Sequence, residues 1–415
     1  MRRRLAAHLV ALAVCGAGLL AMLPAGAAAQ SAPRLSVAAA ALYAPQTGQL
    51  LSGINPHRRV PIASATKLMT ALITLQHVHS LSTVFTQNDY YAAGADSQIG
   101  LVPGERMNVR DLLLALMLPS ADDAAEDLAY NVGQGSVATF VAMMNAEARK
   151  LGLTDTHYST PSGLDTPGNY SSAADLTRLA EYDRAHSRFF ARIVGLRAAV
   201  LRTGRMVRDV TNRNDLVGRY PWIDGVKTGH TSAAGYVLVA SGHKNGMRLI
   251  SAVTGTDSLE SRDANTLALL DYGFSTFTMV HPVRRGETLT RSPVQDQPGL
   301  RVPLLAAGGL TEVVPRGARL TLRLRVPHQL VGPLPAQAVV GTAAVMDGGQ
   351  VLARIPLVTS RRLDAVSGLT LAVRFITHPL TLLVIVVLIG LGAFLWRDAR
   401  RRRRPRRPGA ELEAA

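Results

Sequence analysis

From Pro379 to Trp396 the chain runs 18 residues without a charge, and the 19 residues that follow hold eight arginines. As a helix rising about 1.5 Å per residue, that run is about 27 Å long, close to the roughly 30 Å hydrocarbon core of a bilayer. Trp396 suits the boundary between apolar and polar layers, and Arg400 to Arg404 with Arg406 and Arg407 form the positive flank expected on the cytoplasmic side. The run therefore predicts a single-pass protein of the cell membrane, with a transmembrane helix over 379–396 and a basic cytoplasmic tail over 397–415. Everything before the helix then lies on the outer, extracytoplasmic side. The other end agrees. Arg2 to Arg4, the apolar stretch Leu5 to Leu23, and Ala27-Ala28-Ala29 before Gln30 have the three regions of a secretory signal peptide, expected over 1–29.

This layout disposes of two function classes. The formal net charge of +16 invites nucleic acid, but the tail contributes +5 and Arg2 to Arg4 another +3, and the rest is spread without a basic stripe or interleaved aromatics. No nucleic-acid partner is expected. The one cysteine, Cys15, lies in the leader, which leaves the mature chain neither disulfide nor thiol chemistry.

Between these ends the texture changes once. Over 30–279, Val37 to Tyr43, Gln49 to Leu51, Tyr236 to Ala240 and Leu249 to Val253 read as strands, the last two joined across the tight-turn signal Lys244-Asn245-Gly246. Helical patterns fill the interval, with Asn108 a candidate cap and Ser258 to Tyr272 a later helix. The expected fold is α+β, an antiparallel sheet with a helical half and a cleft between the layers. Over 280–360 short β-prone runs predict a small β-sandwich, and 361–378 a linker to the membrane.

Three short segments carry chemistry. In Ser64-Ala65-Thr66-Lys67 the serine and lysine lie three residues apart where an extended segment enters an apolar helix, which puts them on one face about 5–6 Å apart. A serine hydroxyl is a poor nucleophile until a base takes its proton, and a lysine serves only if burial or a second cation lowers its pKa. Leu68, Met69, Leu72 and Ile73 would bury that lysine. The other two are Ser120-Ala121-Asp122, straight after Leu112 to Leu118, and Lys227-Thr228-Gly229-His230 on a strand facing the helical half. Their order is Ser-x-x-Lys, Ser-x-Asp, Lys-Thr-Gly, close to the set that marks penicillin-binding proteins and class A β-lactamases. No Glu-x-x-x-Asn stands between the second and third, which argues against a β-lactamase.

With Gly163-Leu164-Asp165, Tyr170-Ser171-Ser172, Asn212-Arg213-Asn214 and Asp224-Gly225-Val226-Lys227, the chain resembles the serine-type D-alanyl-D-alanine carboxypeptidases, low-molecular-mass penicillin-binding proteins, over about residues 35 to 360. The resemblance implies a β-lactamase/penicillin-binding-protein-like catalytic domain. It implies that Ser64 attacks the penultimate D-alanine carbonyl of a peptidoglycan pentapeptide ending in D-Ala-D-Ala, that Lys67 is the base, and that Ser120 relays a proton to the leaving amine. Lys227 would hold Ser120 and help keep Lys67 neutral. Backbone N–H groups of Ser64 and His230 would form the oxyanion hole, and Thr228, Gly229, Arg213 and Asp122 would bind substrate. β-Lactam antibiotics would act as covalent inhibitors, with no metal and no cofactor. An Asp175–Arg248 ion pair would be scaffold, and His77, His79 and His157 structural.

Asp122 departs from the family's usual asparagine. A carboxylate cannot donate unless protonated, and its charge raises the pKa of Lys67. Asp122 therefore either works protonated or paired with the lysines, or it leaves a catalytically impaired cell-wall-binding protein as the alternative.

Overall fold

The computed structural model describes residues 31–94 and 96–402; the expected signal peptide and most of the basic tail lie outside them. Two compact units divide the chain, one running to Val280 and taking in Thr311–Ala318, the other built from His281–Leu310 and from Arg319 onward.

The first unit opens with β1 (Ala39–Ala44) and β2 (Gln49–Ile54), then a 3-10 turn, Ala63–Thr66, that runs into α1 (Lys67–His77). A hairpin of β3 (Val84–Thr86) and β4 (Arg106–Asn108) precedes α2 (Val109–Met117), α3 (Asp122–Val132) and α4 (Val137–Lys150). Next come α5 (Ala173–His186), α6 (Arg188–Ile193) and the hairpin β5 (Ala198–Leu201) with β6 (Arg208–Thr211). The unit closes on β7 (Ile223–Thr231), β8 (Gly235–Lys244), β9 (Met247–Thr256) and α7 (Leu259–Thr276). Capping sets several of these starts: the Asn108 side chain accepts from the Asp111 N–H at 2.8 Å, and Ser136, Ser172 and Ser258 do the same for α4, α5 and α7.

β2-β1-β9-β8-β7 form one antiparallel sheet. Successive side chains of a strand point to opposite faces, and here both faces are covered. Ala39, Ala41, Val239 and Ile250 pack into a core with α1 to α6, whereas Ala40, Leu42, Ala240 and Leu249 pack with Leu269, Leu270 and Phe274 of α7. The β8–β9 connection has Asn245 at φ 52° and Gly246 at φ 78°, the left-handed pair that a two-residue hairpin turn needs.

β10 (Phe277–Val283) pairs with β13 (Leu310–Pro315) as a two-stranded sheet. The second unit is built on one five-stranded sheet, β11-β12-β16-β15-β14, from β11 (Thr288–Val294), β12 (Gln297–Ala306), β14 (Leu320–Arg325), β15 (Val339–Asp347) and β16 (Gln350–Thr359). Its all-β character is as expected, though β10, β11 and β13 carry no strong period in the sequence. The expected linker over 361–378 holds a helix, α8 (Gly368–Thr377), with Leu369, Leu371, Val373, Phe375 and Ile376 along it, before Pro379 opens α9 (Pro379–Arg402). Along α9 a 22-residue stretch, Pro379–Arg400, is long and apolar enough to cross a membrane, and its apolar side chains are exposed.

Candidate active site

Ser64 sits in the 3-10 turn and Lys67 opens α1, so the two are one turn apart as the spacing requires. Close backbone approach fixes that turn from two sides. A Cβ at Gly229 would stand 3.1 Å from the Ser64 nitrogen and 3.0 Å from the Ile62 carbonyl oxygen, and one at Gly163 only 2.0 Å from the Ala63 oxygen. Glycine is needed at Gly163, where its φ of +90° is a second reason, and at Gly229 a side chain would fit only if Ile62 and Ser64 gave way by a few tenths of an ångström. The loop around Gly163 is itself tied to α1, since Thr70 Oγ1 donates to the Pro161 carbonyl at 2.6 Å and Asn169 Nδ2 to Thr66 Oγ1 at 3.1 Å.

Lys67 is fully buried, and its amine meets three acceptors: Ser64 Oγ at 2.8 Å, Asp122 Oδ1 at 2.5 Å and the Ser162 carbonyl at 2.7 Å. An ammonium has three donors, and all three are used. Burial holds the Lys67 pKa below the ordinary lysine range, while the charge of Asp122 and its hydrogen bond work against that fall. Asp122 is pinned in turn: its Oδ2 accepts from the Ser97 N–H at 3.2 Å, and its own N–H donates to the Ser97 carbonyl at 2.6 Å. One turn further along α3, burial first and then the charge of Asp122 push Glu126 up to about 7.

Ser120 follows Pro119 with φ at +68°, and its hydroxyl is buried without a hydrogen-bond partner. Lys227 is buried on β7, its amine donating to the Thr228 carbonyl at 2.9 Å. Desolvation first, then the charges of Lys67 and Arg213, hold it well below the lysine range. The expected hydrogen bond between Lys227 and Ser120 is therefore not made in this structure. Both groups are left under-satisfied in the same layer, where a donor and an acceptor supplied by a ligand would complete them.

Above this layer opens a cleft of about 450 Å³ whose walls include Ser64, Ser120, Arg213, Thr228, Gly229 and His230. His230 is exposed, its ring 4.1 Å from that of Tyr236, and Arg213 is exposed with its backbone N–H donating to the Leu118 carbonyl. The residues singled out in the three segments thus converge, with Lys67, Asp122 and Lys227 buried beside the cleft.

Sequence reasoning missed three contributors. Arg262 of α7 is buried, lines the cleft, and donates through Nε to Asp263 at 2.9 Å; its place in a helix beyond the last motif carries no signal. Ser97 and Ser162 act through backbone atoms, which side-chain patterns do not report. The Asp175–Arg248 pair needs correction. Arg248 bonds to Asp224 and Ser241 on the sheet, and Asp175 accepts from the Asp155 N–H and from Thr156 Oγ1. His77 and His157 place Nδ1 against backbone carbonyls, at 2.9 and 2.7 Å.

A family model described as D-alanyl-D-alanine carboxypeptidase matches residues 26–258, and one described as the penicillin-binding protein 5 C-terminal domain matches 277–365. D-Alanyl-D-alanine carboxypeptidase DacF of Bacillus subtilis is 30% identical over 364 residues, 84% of this chain and 93% of that protein. The DacA carboxypeptidase of Escherichia coli is 33% identical over 330 residues, 75% of this chain and 80% of that protein. Among solved structures, penicillin binding protein 5 from Haemophilus influenzae superposes with a TM-score of 0.67 at 27% identity, covering 80% of this chain and 99% of that one. These likenesses lend no support to an impaired binding protein.

Proposed function

Since this chain belongs to the D-alanyl-D-alanine carboxypeptidase family, we propose that it is a serine carboxypeptidase that removes the terminal D-alanine from peptidoglycan stem peptides through an acyl-enzyme on Ser64. The observation that carries the reading is a buried lysine amine 2.8 Å from the Ser64 hydroxyl, at the edge of a cleft flanked by Arg213 and Arg262.

In the proposed reaction Ser64 Oγ attacks the penultimate D-alanine carbonyl carbon while its proton passes to Lys67 Nζ, which must first be neutral. The backbone N–H groups of Ser64 and His230 receive the oxyanion, each such donor being worth about 10²–10³ in rate by precedent. Breakdown expels the D-alanine amine, which takes its proton through Ser120, and an orphaned Ser120 hydroxyl and a depressed Lys227 amine suit that relay. The substrate's terminal carboxylate would lie against Thr228, Arg213 and Arg262. Water then attacks the ester and frees Ser64. A β-lactam would enter by the same first step and be held at the ester.

The charge and hydrogen bond of Asp122 oppose loss of the Lys67 proton, and the base becomes available once Lys67 has given that proton up. The domain limits proposed are a signal peptide over 1–29, the catalytic domain over 30–279 and the β-domain over 280–360. α9 would be a single membrane span that leaves the catalytic domain outside and the arginine tail in the cytoplasm.

Incubating the full-length protein with a D-Ala-D-Ala-terminated peptide should release free D-alanine, and labelled penicillin should mark Ser64. Ser64→Ala should lose both; D-alanine release at an unchanged rate by that variant would overturn the assignment.

A further inference from the structure

The outward face of the five-stranded sheet carries five arginines, and strand register separates them into two groups. Arg323 lies opposite Ala344, and Ala344 opposite Arg354, so Arg323, Arg354 and the neighbouring Arg325 share one end of that face. Arg291 of β11 lies opposite Pro303, two residues from Arg301 on β12, whose pairing with β16 ends at Leu304 and Thr359. Arg291 and Arg301 therefore sit just past the end at which β16 leaves the sheet, roughly 20–27 Å along the strands from Arg354. Arg361 follows within two residues of that exit. All six are exposed and none forms an ion pair with a described residue.

The exit end is also where the chain turns toward its apolar terminus. Arg374 of α8 bonds to Asp296 in the β11–β12 turn at 2.9 Å, and one residue, His378, separates α8 from α9. The two acids near this end, Asp296 and Asp364, are already paired with Arg374 and Arg362. What remains unpaired there is cationic only: Arg291, Arg301 and Arg361.

We propose that this arginine end of the β-domain docks on the anionic phospholipid headgroups of the membrane that α9 enters, an inference that rests on α9 being the anchor. The guanidinium fork matches phosphate oxygens in pairs, and the tether keeps these three side chains close to a phosphate-bearing surface. Screening decays over about 8–10 Å at ordinary salt, so Arg323, Arg325 and Arg354, two or more such lengths away, serve as an internal control. Docking would hold the β-domain upright on its short connection to the bilayer.

The test uses the full chain carrying Cys15→Ala and a fluorophore at Gln295→Cys. It is placed in lipid nanodiscs that contain an acceptor-labelled lipid, made either of phosphatidylcholine alone or with about 30% phosphatidylglycerol. Co-elution with either disc reports the anchor independently, and failure there sinks the membrane reading before the docking question arises. Energy transfer should rise by about twofold in the anionic discs and fall back at about 1 M NaCl, where the screening length is near 3 Å. Arg291→Glu/Arg301→Glu/Arg361→Glu should abolish the rise, and Arg323→Glu/Arg325→Glu/Arg354→Glu should keep it, with melting temperatures reporting the fold of each. Equal transfer in the two discs overturns the proposal. So does loss of the rise in the control triple, or capture of added soluble polyphosphate by the Arg291 group with no response to phosphatidylglycerol.

Discussion

Replacing Asp122 by asparagine should move the acid limb of catalysis to lower pH. In the wild type, Lys67 donates to Asp122 Oδ1 at 2.5 Å inside a buried site, and an opposite charge at such range raises a lysine pKa by about 1–3 units. The Ser97 N–H sharpens the effect. It donates to the other carboxylate oxygen at 3.2 Å, so an asparagine would turn its own oxygen toward Ser97 and its NH₂ toward Lys67. An NH₂ facing Lys67 is tolerated only when the lysine is neutral and offers a lone pair. Loss of the charge and reversal of the hydrogen bond therefore act in the same direction. The expected shift of the limb in kcat/KM is down by about 1–3 pH units, which at pH values below the shifted limb is a gain of about 10- to 1,000-fold. The second-order rate of Ser64 acylation by labelled penicillin, followed between about pH 5 and 10, reads this directly, since the rate needs the free base and stops before deacylation. A limb that stays in place, or moves up, would refute the reasoning that Asp122 holds the proton on Lys67.

Three further outcomes follow from the same geometry. Gly229→Ala forces a few tenths of an ångström of movement against Ile62 and Ser64, so penicillin acylation should fall about tenfold or more while the melting temperature changes little. Arg262→Met should cost about 10- to 100-fold in kcat/KM for a peptide with a free C-terminal carboxylate and almost nothing for the carboxamide, an unequal loss that a purely structural arginine would not produce. Glu126 has a folded pKa of about 7, above its ordinary value near 4.5, so the native state binds more protons than the unfolded one between those limits and stability falls as pH rises through them. Glu126→Gln should accordingly raise stability by roughly 1–2 kcal/mol at pH 8, with the gain absent at pH 4, measured by urea unfolding.

The candidate catalytic residues were legible because the chemistry proposed for them is carried by side chains at fixed spacing. Ser64 and Lys67 must be one helical turn apart, and Lys227-Thr228-Gly229 must lie extended beside them. What was not legible is carried by backbone atoms or by distance in the chain. Ser162 contributes a carbonyl and Ser97 an N–H and a carbonyl, and any residue type supplies those. Arg262 reaches the cleft from a helix on the far side of the sheet, a placement set by packing rather than by local pattern. In the fold, the sheet of the first unit and α7 were readable from alternation and capping. β10, β11 and β13, rich in proline and polar residues, were not. The expected Asp175–Arg248 pair failed because Asp224 of β7, across β8 from Arg248, offers it a carboxylate at 2.5 Å.

The two glycines that wedge the nucleophile's turn also narrow the evolutionary routes open to this chain. Because a side chain at Gly163 would collide with the Ala63 carbonyl and one at Gly229 would press on Ile62 and Ser64, a change at either position shifts Ser64 for natural peptide and antibiotic alike. Escape from a covalent drug by that path would forfeit wall trimming at the same stroke. Resistance mutations should therefore gather on the rim around Arg213 and His230, where a bulky ring system can be turned away while a slender peptide still threads in.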